Sequence, residues 1–261
     1  MKKSESMDFL SFPTRPKPHE EGITLLTDYL IPLKDVESLL EVASEAIDYA
    51  KLVHVGLYRD IPAGWLEKKL ALYKEKGIKT LPGGVPFQFA LFQNKVPQFF
   101  QWLVDQGFDA VEIADDVMKT SMGDEKRATM IKMARDMGLG VFTEHGKDHP
   151  VASLNLDEAY ESIQQDIALG VLYSTLERAE LNVYMEGDPT PLVNMVKKVG
   201  LKQILFEPGP NGWPHVHRWV FKHFGPKVNL GNITPAEVLQ VHFTRMGMSL
   251  LVDPDDYAFS G

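Results

Sequence analysis

The sequence predicts an α/β fold, specifically a (β/α)8 TIM barrel, on two observations. Short apolar runs alternate eight times with longer amphipathic runs along about 230 residues, which suits such a barrel in both count and length. Five of the amphipathic runs stop at a glycine before the next apolar run, at Gly77, Gly107, Gly138, Gly200 and Gly225, as a left-handed helix terminus requires. The rival, an open doubly wound sheet, would usually bring a glycine-rich phosphate turn after an early strand. Neither G-x-G-x-x-G nor G-x-x-x-x-G-K-[ST] occurs, and Gly83-Gly84 reads as a turn at a strand end.

In chain order the expected strands are ITLLTD (23–28), AKLVHVG (50–56), KTLPGG (79–84), AVEIAD (110–115), GVFTEHG (140–146), VLYSTLE (171–177), QILFEPG (203–209) and VNLGNI (228–233). Each is a short apolar run, the pattern of a strand in a parallel sheet covered on both faces. The helices expected between and after them span 33–47, 64–77, 96–107, 124–138, 156–170, 190–200, 213–225 and 235–247. Residues 1–20 read as a flexible arm and 21–261 as a single barrel domain.

Composition narrows the function. The chain has 261 residues, 44% hydrophobic and 24% charged, enough for a substantial core. No run approaches the roughly 18 apolar residues of a membrane helix, and the start lacks the apolar segment of a secretory signal. There is no cysteine, which excludes disulfides, thiolate metal sites and a cysteine nucleophile and fits a cytoplasmic setting. A formal charge of −9 argues against nucleic-acid or anionic-membrane partners and leaves a small anionic substrate as the expected one. Trp213, Trp219 and Phe221 hint at a homo-oligomer interface, although core packing explains them equally well.

In such a barrel the site lies at the C-terminal ends of the strands. Acids recur there on four consecutive strands: Glu112 and Asp115, then Glu144, Glu177 and Glu207. Clustered carboxylates repel one another unless a cation lies among them, and oxygen ligands without cysteine suit Mg²⁺, with Mn²⁺ as the alternative. The competing reading is that each acid pairs with a rim lysine or arginine. His54 and His145, also on strand ends, are placed to face the mouth, whereas His215, His217 and His223 fall in an aromatic-rich helix that favours packing. No H-E-x-x-H, H-x-H strand pair or G-x-S-x-G supports zinc or serine chemistry.

The segments KPHEEGITLLTD, IDYAKLVHVG, LPGGVPFQ, VEIADD, TEHGKD, ILFEPGP and VNLGNI, in this order over roughly residues 16–250, resemble the phosphosulfolactate synthase family. The resemblance implies a TIM barrel, Mg²⁺ dependence, and addition of sulfite to phosphoenolpyruvate in coenzyme M biosynthesis. It implies a metal-held enolate protonated by a lysine, for which Lys147 is the first candidate and Lys51 the second. It adds Lys17, His19, Gly84, Gln88, Arg178, Asn229 and Asn232 to the residues expected to bind substrate with His54 and His145, and it gives Glu112, Asp115, Glu144, Glu177 and Glu207 as the metal acids. Departures from the family pattern include His19 for an arginine, Val85 and Gln88 within its G-G-T-x-F-E, and Ser249 for an arginine. They keep open a family member acting on another carboxylate or enolisable substrate, or a non-catalytic binding or stress-related member.

Overall fold

The computed structural model describes residues 9–57, 59–147, 154–210 and 212–249. Eight strands alternate with helices as expected: β1 (Thr24–Asp28), β2 (Tyr49–Leu52), β3 (Lys79–Pro82), β4 (Ala110–Ile113), β5 (Gly140–His145), β6 (Tyr173–Leu176), β7 (Ile204–Phe206) and β8 (Asn229–Ile233). The helices are α1 (Leu33–Ala43), α2 (Trp65–Glu75), α3 (Gly84–Phe92), α4 (Val96–Gln106), α5 (Asp124–Asp136), α6 (Leu156–Ala168), α7 (Arg178–Glu186), α8 (Thr190–Val199), α9 (His215–Phe224) and α10 (Val238–Arg245). All sheet pairings are parallel, in the order β3-β2-β1-β8-β7-β6-β5-β4, which is a TIM barrel with its seam between β3 and β4.

That seam is bridged by Asp109, just ahead of β4. Its backbone N–H donates to the Thr80 carbonyl at 3.0 Å, and its Oδ2 accepts from the Thr80 N–H at 2.8 Å. Asp48, just ahead of β2, grips Thr24 of β1 in the same way, at 2.9 and 2.8 Å. A carboxylate thus satisfies a strand-start donor that the sheet ladder leaves open.

The strands are buried on both faces because helices cover the outside and side chains fill the inside. Ile23, Leu25, Tyr49, Leu81, Ala110, Phe142 and Leu205 make the inner cluster, with Tyr173 packed against it. The rings of Tyr49, Phe142 and Tyr173 meet at 5.1–6.0 Å between centroids, forming an aromatic plug within the barrel. The outer core lies between strands and helices. In α4, for example, Val96, Phe100 and Leu103 recur at helical spacing on the buried side, and Gly107 ends the helix at φ 88°.

Two helices were not anticipated. α3 begins where a turn was expected, since GVPFQFALF is apolar almost all round and gives no 3.6-residue signal. α7 follows β6 directly, with Glu177 as its N-cap accepting from the Arg178 N–H at 3.0 Å. The first eight residues of the expected arm lie outside the described residues, but its later part is tied to the barrel. Arg15 donates to the Glu21 and Gly22 carbonyls, and His19 Nδ1 lies 2.7 Å from Asp48 Oδ1. Among the described residues no helix is long and apolar enough to cross a membrane.

Candidate active site

A cleft of about 200 Å³ opens at the C-terminal ends of the strands. Its floor is acidic: Glu112 comes from β4, Glu144 from β5, Glu177 from the end of β6 and Glu207 from the end of β7, and Asp116 joins them from the loop after β4. The cationic side chains among the lining residues are Lys51 and Arg178, with His54 beside them.

The acids fall into two groups by position. Lys51 Nζ sits 2.6 Å from Glu207 Oε1 and 3.2 and 3.3 Å from the two Glu112 oxygens, all three side chains being buried. Burial works against the ammonium, but Glu112, Glu207 and Glu144 outweigh it and hold the Lys51 pKa well above the usual lysine value. Burial, opposed by Lys51 and reinforced by Glu112 and Glu177, raises the Glu207 carboxyl to about 8. With three carboxylates acting on Lys51, the charge stays on the lysine.

The second group is Asp116, Glu144 and Glu177, from each of which one oxygen falls within 4.8 Å of the others. Burial, a hydrogen bond to Glu177 and the charges of Glu177, Glu112 and Asp116 push the Glu144 carboxyl far up. Three hard oxygen donors converging on one point, one of them a carboxyl raised by its acidic neighbours, fit a divalent cation such as Mg²⁺.

The local backbone is shaped for this cleft. His54 and Asn232, both lining it, adopt positive φ of 60° and 50°, uncommon for residues with a side chain. Asn232 uses that geometry to donate from Nδ2 to Glu207 Oε2 while accepting from Thr27 Oγ1 at 2.9 Å. Gly84, the first residue of α3, is needed for closeness. A Cβ there would lie 2.7 Å from the Ala114 Cβ and 3.3 Å from Glu112 Oε2.

The expected residues therefore separate. Lys51, His54, Gly84, Arg178, Asn232, Glu112, Glu144, Glu177 and Glu207 line the cleft. Asp115 does not: its carboxylate accepts from Ser121 Oγ and the Met122 N–H and pairs with Lys147 at 2.7 Å, fastening the loop after β4. Lys147 is likewise turned away, its Nζ also donating to the Asp115 carbonyl at 2.6 Å. His145 points outward between α5 and α6. There Arg127 Nη1 donates to Nδ1 at 3.3 Å and Nε2 donates to Asp166 at 3.1 Å, and burial lowers its pKa. Gln88 lies behind the site, its Nε2 donating to Asp116 at 2.6 Å and its Oε1 accepting from the Val117 N–H.

Asn229 starts β8 at the opposite end of the barrel, where its amide donates to the Leu201, Lys202 and Ile204 carbonyls and its Oδ1 accepts from the Ile23 N–H. His19, paired with Asp48 ahead of β2, is also at that end, as is Lys17, which feels Asp48 and Glu45. Strand-end position was legible in the sequence, but which side of the pleat an acid faces at a strand's irregular end was not. Hence Asp115 was expected where Asp116 stands.

A family model described as (2R)-phospho-3-sulfolactate synthase (ComA) matches residues 12–250. Phosphosulfolactate synthase of Methanocaldococcus jannaschii is 32% identical over 241 aligned residues, covering 88% of this chain and 92% of the relative. Those of Methanothermobacter thermautotrophicus and Bacillus subtilis are each 26% identical, covering 93% and 92% of this chain and 95% of each relative. With the match running from the arm to the end of α10 and through every strand that supplies the cleft, the chain belongs to the phosphosulfolactate synthase family of enzymes.

Proposed function

We propose that this chain joins sulfite to phosphoenolpyruvate, the activity its relatives' name denotes, with Mg²⁺ held by Asp116, Glu144 and Glu177. The observation that carries the reading is the convergence of one oxygen each from Asp116, Glu144 and Glu177 within 4.8 Å, beside Lys51 held by Glu112 and Glu207. Bound to that trio, a divalent cation supplies Lewis acidity that stabilises negative charge on a substrate carboxylate.

Sulfite forms its C–S bond at the methylene carbon, and the double-bond electrons move onto the carbon that bears the phosphate and carboxylate. Lys51 Nζ delivers a proton to that carbon, and the bisulfite proton restores the ammonium, so atoms and charge balance. Glu112 and Glu207 hold the ammonium in place, Asn232 fixes Glu207, and Gln88 fixes Asp116. Arg178 and His54 face the substrate's anionic groups from the rim. A cytoplasmic location goes with this reading.

Two of the departures from the family pattern, His19 and Ser249, are not among the cleft residues; Ser249 Oγ donates to Gln240 instead. They remove no cation from the site. Val85, which does line it, favours a second reading in which the same chemistry acts on a carboxylate carrying less phosphate.

The test is to incubate the chain with phosphoenolpyruvate, sulfite and Mg²⁺ and to follow phosphosulfolactate. Turnover abolished by a chelator and reduced about 10²–10⁴-fold in Lys51→Arg, which keeps the charge, is expected. No turnover of phosphoenolpyruvate alongside sulfite addition to an unphosphorylated unsaturated carboxylate would transfer the assignment to the second reading.

A further inference from the structure

We propose that Glu180 is a positioning residue for the divalent cation, holding the segments that carry Asp116, Glu144 and Glu177 at the spacing the ion requires. The inference rests on the reading that these three acids hold Mg²⁺, and it names the side chain that keeps them in register.

The three acids stand on different segments, and the sheet fixes them only in part. Between β5 and β6 the pairing sets Glu144 beside Thr175 and His145 beside Leu176, and it closes with the Glu177 N–H donating to the His145 carbonyl at 3.2 Å. Past His145 the strand has ended, and Gly146 and Lys147 leave the barrel beside the first turn of α7. Glu180 takes over the hold there. Its side chain is buried, and its carboxylate accepts from the Lys147 N–H and, through Oε2, from the Leu154 N–H at 2.9 Å. A carboxylate offers two acceptor oxygens, so one side chain serves two donors that are well separated along the chain.

The contact leaves no slack. Gly146 has φ 112°, and a Cβ on it would lie 2.7 Å from Glu180 Cγ and 3.1 Å from Glu177 Cβ. The chain just past Glu144 therefore presses against the turn of α7 that begins with Glu177. Lys147 extends the link to the third segment, because its Nζ pairs at 2.7 Å with Asp115, the neighbour of Asp116. Lys147 thus joins the segments that carry all three acids, and Glu180 holds its backbone.

That hold matters because the ion is demanding. Mg²⁺ takes oxygens at about 2.0–2.1 Å in near-octahedral geometry. The three oxygens lie within 4.8 Å of one another, so a small drift of β5 from α7 would spoil the set. Removing a group that supports a metal-binding side chain without touching the ion typically costs about 10–100-fold in metal affinity or activity.

Titration calorimetry with Mg²⁺ on the full chain, alongside steady-state kinetics, tests the inference. Glu180→Ala is expected to weaken Mg²⁺ binding about 10–100-fold and to lower turnover at limiting Mg²⁺. Saturating Mg²⁺ should restore most of that turnover, with the KM for phosphoenolpyruvate little changed, a rescue that a merely structural loss would not show. Glu180→Gln, which keeps one acceptor oxygen, should lie between. Tyr184→Phe removes the hydroxyl that donates to the Leu154 carbonyl at 3.4 Å, one turn further along α7, and should leave Mg²⁺ affinity and turnover unchanged. Should Glu180→Ala misfold, Glu180→Gln carries the same reading. Unchanged Mg²⁺ affinity in the Glu180 variants, or equal weakening in Tyr184→Phe, overturns this inference alone. Failure of the unmodified chain to bind Mg²⁺ overturns it together with the reading on which it rests.

Discussion

Lys51 and Lys147 both lie near strand ends, yet their surroundings give them different work. Lys51 is buried among three carboxylates and faces the cleft, whereas Lys147 is part-exposed and bound to Asp115. Lys147→Met is therefore expected to lower turnover by less than about tenfold, well short of the 10²–10⁴ of a general acid, because it loosens a loop without removing the proposed proton donor, Lys51. Steady-state kinetics on both lysine variants separates the two roles, and a larger loss at Lys147 would return it to the chemistry. Among the acids, Glu144→Gln should weaken Mg²⁺ binding by at least tenfold in calorimetry, since it removes one of the three carboxylates proposed to hold the cation. Glu207→Gln should affect it less, its carboxylate being engaged by Lys51 and Asn232. Equal weakening in both would mean that the cation sits across the two groups.

At the scale of elements, the structure depends on a few polar fastenings between neighbouring strands. Asp109 closes the β3–β4 seam by accepting from both the N–H and the hydroxyl of Thr80, at 2.8 and 3.2 Å. Asp109→Ala leaves those donors without an acceptor and should cost about 1–3 kcal/mol, read as a lower urea midpoint. Asp109→Asn, which keeps an acceptor, should recover part of the loss. The start of α3 is constrained in the opposite sense, by lack of room. Gly84→Ala pushes a methyl against Ala114 and towards Glu112, an overpacking worth roughly 1–3 kcal/mol. Its larger expected effect is on activity, because relief must come by moving α3 or the carboxylates of the cleft. A variant with wild-type turnover would show that Gly84 is not required for the closeness of α3.

For the whole molecule, the buried acids make stability depend on pH and on metal. Glu144 and Glu207 have folded-state pKa values raised above their ordinary value of 4.5, Glu207 to about 8. The folded chain therefore holds protons that the unfolded chain has released. The contribution of Glu207 is fully present below about 4.5 and is lost as pH rises through about 8, and that of Glu144 is lost as pH rises through its own raised value. Without divalent cation, the melting temperature is expected to fall between pH 6 and 9. With Mg²⁺ present the fall should shrink or reverse, because binding replaces the proton with a cation and stabilises the folded state by mass action. A metal-independent pH profile would mean that Glu144 keeps its proton without a metal role.

How much of this was legible beforehand depends on which physical signal each feature carries. Alternating apolar and amphipathic runs ended by glycines reflect local sterics and one-dimensional burial, so the sequence by itself determined eight strand–helix units and the acids at their ends. α3 escaped because a helix buried on one side and apolar on the other has no period to detect. Asn229 and Asn232 sit three residues apart in one strand, yet one fastens the bottom of the barrel and the other faces the cleft. Only the tertiary structure decided which end each belongs to. It also decided that Asp116 rather than Asp115 joins Glu144 and Glu177, and that Lys51 lies among the acids while Lys147 does not. These are distances between residues on different strands, set by sheet register and by the turn of each strand end, and no local pattern in the chain encodes them.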